Sequence, residues 1–320
     1  MCTQLHSSLQ VPISFCGFVA ILICSFAFAL IPVRISAAGI SPTVIEFSGY
    51  PGETLKSSVT IINTSASEQE YYLGIMGFEP NDETGSPKFF ILDGSEQVAR
   101  WIKFGSKSFV LPAMSKGEAL FEVAIPDSTR AGGYYVAITV SQAPADVVAS
   151  NGAVIEAKIA SLVMLRVDGE VDERIALMDF KADGMSLGMP PASYRIRVQN
   201  QGNVHLEPTG SIIVKNWLGQ TIEKFDANNG NGRVLPSSTR SYEVSTEKKE
   251  LSWFGKAKFQ LQHLVAGSTT ATLNLSYGEN GTIQSTINFW MFPWQLIVTV
   301  CIAACVLIAA ARIANKIVRK

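Results

Sequence analysis

Cysteine is missing where an exported domain would use it. All five, Cys2, Cys16, Cys24, Cys301 and Cys305, lie in or beside the apolar ends of the 320-residue chain, and residues 39–288 contain none. That long central region therefore cannot use a disulfide and must hold together by size and packing alone. Histidine is nearly as scarce, with only His205 and His263 inside it. His205 and Glu207, two apart, would share one strand face and could supply two metal ligands, but a zinc site needs three or four. A structural or exposed His205 is the favoured reading, and no cofactor is expected. H-E-x-x-H, the Walker loop, C-x-x-C and the dinucleotide fingerprint are all absent. Positive charge is short as well. Five of the 26 basic residues lie outside 39–288, leaving 26 − 5 = 21 against all 27 acidic ones, a balance of about −6. That sign argues against nucleic acid or anionic lipid as the partner of the central region.

Long hydrophobic runs occur only at the two ends. Residues 11–33 are apolar and lead into Ser36-Ala37-Ala38, which fits a signal peptide over residues 1–38 cleaved after Ala38. The preceding segment lacks Lys and Arg, so an uncleaved signal anchor is the alternative. At the other end, a transmembrane helix is expected over residues 290–312, around the uncharged stretch 294–311. Trp290 and Trp294 suit an interfacial belt on one side. Arg312, together with Lys316, Arg319 and Lys320 of the basic tail 313–320, marks the cytoplasmic side. Cys301, Cys305 and Ala309 repeat every four residues and offer a small-residue face for helix-mediated self-association.

Between the ends, short β-rich segments alternate with Gly, Pro, Asn and Ser clusters, the spacing of a sandwich. "SSVTIIN" (57–63), "GYYVAITV" (133–140), "SYRIRVQN" (193–200), "AKFQLQHL" (257–264) and "TATLNLSYG" (270–278) read as strands. In "SEQVARWI" (95–102), Ser95 could instead cap a short helix with Val98, Trp101 and Ile102 on one face. "VTIINTS" and "IRVQNQG" echo each other, with Asn63 and Asn200 placed alike where a strand enters a turn that needs a left-handed residue. The fold expected is all-β, with two tandem immunoglobulin-like sandwiches over 39–168 and 171–288. Either Tyr134 ties down a corner with its hydroxyl, leaving Tyr135 to face outward, or the two are tyrosines of an ordinary strand. "NWLGQ" reads as a hairpin turn, with Gly219 at a left-handed position.

One catalytic pattern occurs, "GMSLG" (184–188), but Pro190-Pro191 forbids the helix that a nucleophile elbow needs. Paired carboxylates such as Asp82 and Glu83 read as a solvated loop. The long segment 79–109 carries Phe89, Phe90, Trp101 and Phe104, which either present a partner-binding cap or finish the first core.

"ISPTVIEFSGYPGETLKSSVTIINTS" and "NQGNVHLEPTGSIIVKNWLGQTI" resemble the openings of the two domains of bacterial WxL-interacting cell-surface proteins. The wider similarity is to the sandwiches of pilus chaperones. The resemblance implies a membrane-anchored scaffold that binds peptidoglycan or a co-exported surface protein. The competing class is a wall- or glycan-processing enzyme with a carboxylate site.

Overall fold

The computed structural model describes residues 38–92, 97–142, 158–184, 187–245 and 251–319. The signal segment, Ser95 and Ser186 of "GMSLG" lie outside the described residues. Gly184 follows one strand and Leu187 precedes the next.

The first sandwich is built from ten strands: β1 (Ala38–Ser41), β2 (Val44–Gly49), β3 (Thr54–Asn63), β4 (Gln69–Pro80), β5 (Pro87–Phe90), β6 (Ile102–Phe104), β7 (Ser108–Leu111), β8 (Lys116–Ala124), β9 (Gly132–Ser141) and β10 (Ile159–Val167). A one-turn helix, α1 (Gln97–Trp101), runs directly into β6. One sheet has the order β1-β3-β8-β6; the other is β2-β10-β9-β4-β5, with β7 also paired to β4. The parallel pair β10–β2 joins the two ends of this unit. Inward residues of both sheets close on Val59, Ile61, Tyr71, Phe121, Ile138 and Leu165.

The second sandwich pairs β11 (Ile175–Asp183), β12 (Ser193–Asn200) and β15 (Thr239–Ser245) in one sheet. Its other sheet is β14 (Thr221–Asp226), β13 (Thr209–Lys215), β16 (Gly267–Tyr277) and β17 (Gly281–Met291). Strand β12 has the alternation expected of one buried face: Tyr194, Ile196 and Val198 are buried between more exposed neighbours. The turn after β13 is the expected bulged hairpin, with Gly219 at φ 78° and a register shift between Val214 and Lys215. Two immunoglobulin-like β-sandwiches in tandem, each with its own core, make up the described chain before the apolar helix.

Tyr134 does what its position promised. Its hydroxyl donates to the Arg130 carbonyl at 2.9 Å, and its ring packs on Trp101 at 4.8 Å between centroids. The two echoing asparagines do something else. Neither has a left-handed backbone. Each is fully buried at the end of its strand and uses its amide to clamp loops. The Asn63 amide donates to the Ser67, Leu111 and Pro112 carbonyls and accepts from Ser65 and the Tyr71 hydroxyl. The Asn200 amide donates to the Val204 and Val234 carbonyls and accepts from Gly202 N–H. The left-handed residues stand opposite, Met114 at φ 52° and Ser237 at φ 59°, each in a Leu-Pro turn that the amide reaches. An amide carries both donors and acceptor on one short arm, so one side chain satisfies several buried backbone groups.

One segment contradicts its sequence reading. "AKFQLQHL" belongs to a helix, α2 (Trp253–Gln262), whose first turn is capped by the Ser252 hydroxyl accepting from Gly255 N–H. Strand β17 continues to Met291, so Trp290 stands on a strand. The apolar helix α3 runs Trp294–Val318, carrying Arg312 inside it and most of the basic tail with it. Its 25 residues make it long and apolar enough to cross a membrane.

Candidate functional site

The sandwiches meet through a lock built mainly from the hairpin β4–β5. Its tip, residues 81–86, is shaped by Asp82, whose carboxylate accepts from the backbone and hydroxyl of Thr84. Glu83 then crosses to the second sandwich. Its carbonyl accepts from Ser241 N–H on β15 at 2.7 Å, and its carboxylate takes both arms of Arg197 on β12, one at 2.7 Å. The Arg197 hydrogen bonds hold the Glu83 carboxyl below the usual carboxylate range. The outer N–H of β15 that Ser241 presents is thereby satisfied by the neighbouring sandwich.

A second set of contacts flanks this one. Tyr135 faces not solvent but the second sandwich, where its hydroxyl shares a 3.2 Å hydrogen bond with His205 Nδ1. Burial, and then the Arg166 charge, hold the His205 imidazole below the ordinary histidine range; burial pushes the Tyr135 hydroxyl up. Arg233 bridges Glu46 of β2 and Glu207, the latter at 3.2 Å. His205 and Glu207 are thus committed to different partners, and among the described residues no group of three or more His, Cys, Asp or Glu converges as a metal site. Gly133 N–H donates to the Asn203 carbonyl at 2.8 Å, and the Asn203 amide returns to the Ala131 carbonyl. Phe78, Ala137 and Met164 form a small apolar patch against which Leu235 of the second sandwich packs. A cleft remains beside them, lined by Glu79, Asp82, Arg233 and Arg240 among others.

The four aromatics singled out in residues 79–109 separate into two classes. Trp101 is 5% exposed and belongs to the first core, and Phe104 packs against that core from β6. Trp101 is therefore unavailable to a partner, because the one-turn helix α1 delivers it inward onto Tyr134. Phe89 and Phe90 remain at the surface on β5, all four of whose residues are exposed. Their neighbour Ile91 is 85% exposed. Among the described residues, strand β5 pairs with β4 alone, and its other edge is unpaired. Phe90 lies across Gly77, where an added Cβ would come within 2.3 Å of the ring. The missing side chain lets the edge strand sit close. Ala38, read as the cleavage position, is the first residue of β1 and pairs with Asn63.

At the far end, α2 and α3 are joined by side chains. The side-chain amide of Gln260, a residue 1% exposed, donates to the Gly188 carbonyl at 2.9 Å and to the Gln295 side chain, while its Oε1 accepts from Leu296 N–H at 2.9 Å. Trp253 Nε1 donates to Thr299 Oγ1 at 3.1 Å and its ring meets Trp294 edge-on at 4.9 Å. Sequence reasoning missed this junction because Gln260 and Gln295 carry no pattern, only a shared burial.

No family model and no curated protein matches the chain. Solved structures do, at low identity. A class 5 fimbriae chaperone, CfaA, is 12% identical over 80% of this chain and 100% of its own, with a TM-score of 0.37. The E. coli chaperone DraB is 11% identical over 81% of this chain and 100% of its own, TM-score 0.34. A PapD-like domain of human CEP192 is 14% identical over 52% of this chain and 98% of its own, TM-score 0.29.

Proposed function

We propose that this chain is a membrane-anchored surface scaffold that holds a partner by contact and turns over no substrate. The observation that carries the reading is β5, an exposed edge strand bearing Phe89 and Phe90 and followed by Ile91, on a sandwich locked to its neighbour. An open edge offers unpaired backbone N–H and C=O groups in a row, and flanking apolar side chains add selectivity, which is the chemistry of strand addition. The lock through Glu83 and Arg197 supports the reading too. It presents the edge at a fixed place relative to the second sandwich, which lowers the ordering cost of binding. The partner is a co-exported surface protein or peptidoglycan, in keeping with the resemblance to WxL-interacting proteins. The basic residues after the apolar span support a cytoplasmic C-terminus with the sandwiches outside.

The test is a photo-crosslinking residue at position 89 or 91 of the full chain on intact cells. A discrete adduct with a surface protein or wall fragment is expected there and none from Tyr50, which lies outside the edge. Hydrolysis of purified wall polymer, abolished by changing one carboxylate, would replace the scaffold with an enzyme. Protease on wall-stripped cells should remove a tag near residue 151 and spare one at residue 320; the opposite result reverses the orientation.

A further inference from the structure

The apolar surface of the second sandwich is concentrated at the end where α3 begins. Four separated stretches of chain converge there. The connection before β12 brings Leu187, the β13–β14 turn brings Trp217 and Leu218, α2 brings Phe254 and Leu261, and the end of β17 brings Trp290. Phe254 is 72% exposed and Trp290 77%. Chain contacts hold the pieces in one rim. Phe292 N–H donates to the Leu187 carbonyl, the Asn216 amide to the His263 carbonyl, and Gln260 to Gly188.

We propose that this rim is a docking foot for phospholipid, set in the headgroup–acyl boundary of the bilayer that α3 crosses. The inference goes beyond the scaffold role and rests only on α3 being a membrane span. Continuity with that span selects the occupant. Trp253 bonds to Thr299, five residues into α3, so α2 lies level with the second turn of the helix, roughly 7 Å along its axis. An amphipathic segment lying in a membrane interface sits about 5–10 Å deep, the same range. Charge agrees. Residues 251–264 contain Lys256 and Lys258 and no acid, whereas the central region as a whole is acidic. Lys258 is exposed and follows Phe254 by four residues, so it shares a helix face with the ring and suits a phosphate above it. Because Gln260 and Gln295 tie α2 to α3, the foot is fixed against the span, and the sandwich would stand on the membrane at one set tilt.

The experiment uses the full chain in vesicles of phosphatidylcholine and phosphatidylglycerol, with a fluorescent amino acid at position 254, 261, 307 or 50 in turn. Probes at 254 and 261 should be quenched by lipids carrying a nitroxide near the headgroup and be several-fold less sensitive to aqueous iodide than the probe at 50. The probe at 307 should respond only to a deep nitroxide. Iodide access at 254 and 261 equal to that at 50, with 307 still lipid-quenched, overturns the foot and leaves the anchor standing. Iodide access at 307 overturns both. Shielding at 254 from both quenchers that grows with protein density assigns the rim to a second copy and also overturns the proposal. As a further arm, Lys256→Glu with Lys258→Glu, which buries no new charge, should weaken headgroup quenching at 261; an unchanged signal counts against the phosphate contact that the proposal includes.

Discussion

The two sandwiches solve the same problem with the same device and then diverge at their rims. Each closes without a disulfide by driving one strand-ending asparagine amide into the loops of its own core, Asn63 in the first and Asn200 in the second. Their cores are equally unremarkable sheets of alternating Val, Ile, Leu and aromatic residues. What differs is where spare chain goes. The first sandwich spends it on the hairpin β4–β5, which reaches its neighbour and leaves an open edge. The second spends it on α2, which reaches the apolar helix α3. Cores set stability here, and rims set what the molecule touches.

The largest break in that comparison comes from Trp101. Trp101→Ala empties a buried site against Tyr134 and should cost about 3–5 kcal/mol in urea unfolding of the first sandwich, leaving the second transition in place. A surface role for this residue would instead leave the melt unchanged. Asn63→Ala comes next. It takes a buried partner from the Leu111 carbonyl, the Ser65 N–H and the Tyr71 hydroxyl, while the Ser67 and Pro112 carbonyls keep the Ser65 and Ser115 hydroxyls, so a loss of about 2–4 kcal/mol is expected. Asn200→Ala strands fewer groups and should cost about 1–3 kcal/mol, in the second transition. A loss in the wrong transition, or one spread over both, would refute the idea that the two amides are matched clamps for separate cores.

The asparagine echo was legible in the sequence, but its reason was not. Spacing identified Asn63 and Asn200 as equivalent, whereas local turn chemistry suggested a left-handed backbone. The donor-hungry carbonyls are 48 and 34 residues away, at Leu111 and Val234, beyond any local pattern. Strand β12 was legible because it has one wet face and one dry one. Helix α2 was misread for the opposite reason. Ala257, Phe259 and Leu261 alternate as in a strand, yet Phe259 packs on the core while Leu261 is exposed on the rim. Two apolar faces of a helix imitate the period of a strand. Among the aromatics of 79–109, composition could not say which two were buried; that depended on α1 turning Trp101 inward. Tyr135 looked solvent-facing because its strand parity points it away from its own core; there Phe78 of its own sandwich and His205 of the second both meet its ring.

The junction between the sandwiches should weaken with acid. His205 has a depressed pKa in the folded chain, so it stays neutral where an unfolded histidine would protonate. Its contribution is fully present above the ordinary histidine value of about 6.5 and is lost as pH falls toward the folded value. Glu83 acts lower down. Its depressed carboxyl contributes above the ordinary carboxylate range and is lost as pH falls through the folded pKa. Small-angle scattering should therefore find the two sandwiches fixed at neutral pH and progressively freer in acid. His205→Gln should flatten the upper part of that change and Arg197→Ala the lower part. A junction equally rigid at every pH would show that the apolar patch around Phe78 suffices without either group.

The smallest effect on stability is expected where the effect on binding is greatest. Phe89→Ser with Ile91→Ser changes two side chains that face solvent, and exposed substitutions of this kind usually stay within about 0.5 kcal/mol each. Phe90 is left in place because it covers Gly77. The melt of this variant should nearly overlay that of the parent, and the tilt of the sandwich on the membrane should not move. Its capture of wall material or of a surface partner should fall to background, because the same two side chains flank the open edge. An N-methylated phenylalanine at position 89 should act on the edge in a different way, because in the antiparallel register Phe89 N–H points away from β4 whereas Lys88 N–H faces Glu79. N-methylation removes that outward donor and leaves both apolar side chains, so partial loss would assign affinity to the backbone row itself. Retained capture in the N-methyl variant with complete loss in the serine variant would assign it to the side chains. Undiminished capture in both would remove β5 from the function altogether, and the partner would have to be sought on the second sandwich, where β14 and β17 are the outer strands of their sheet.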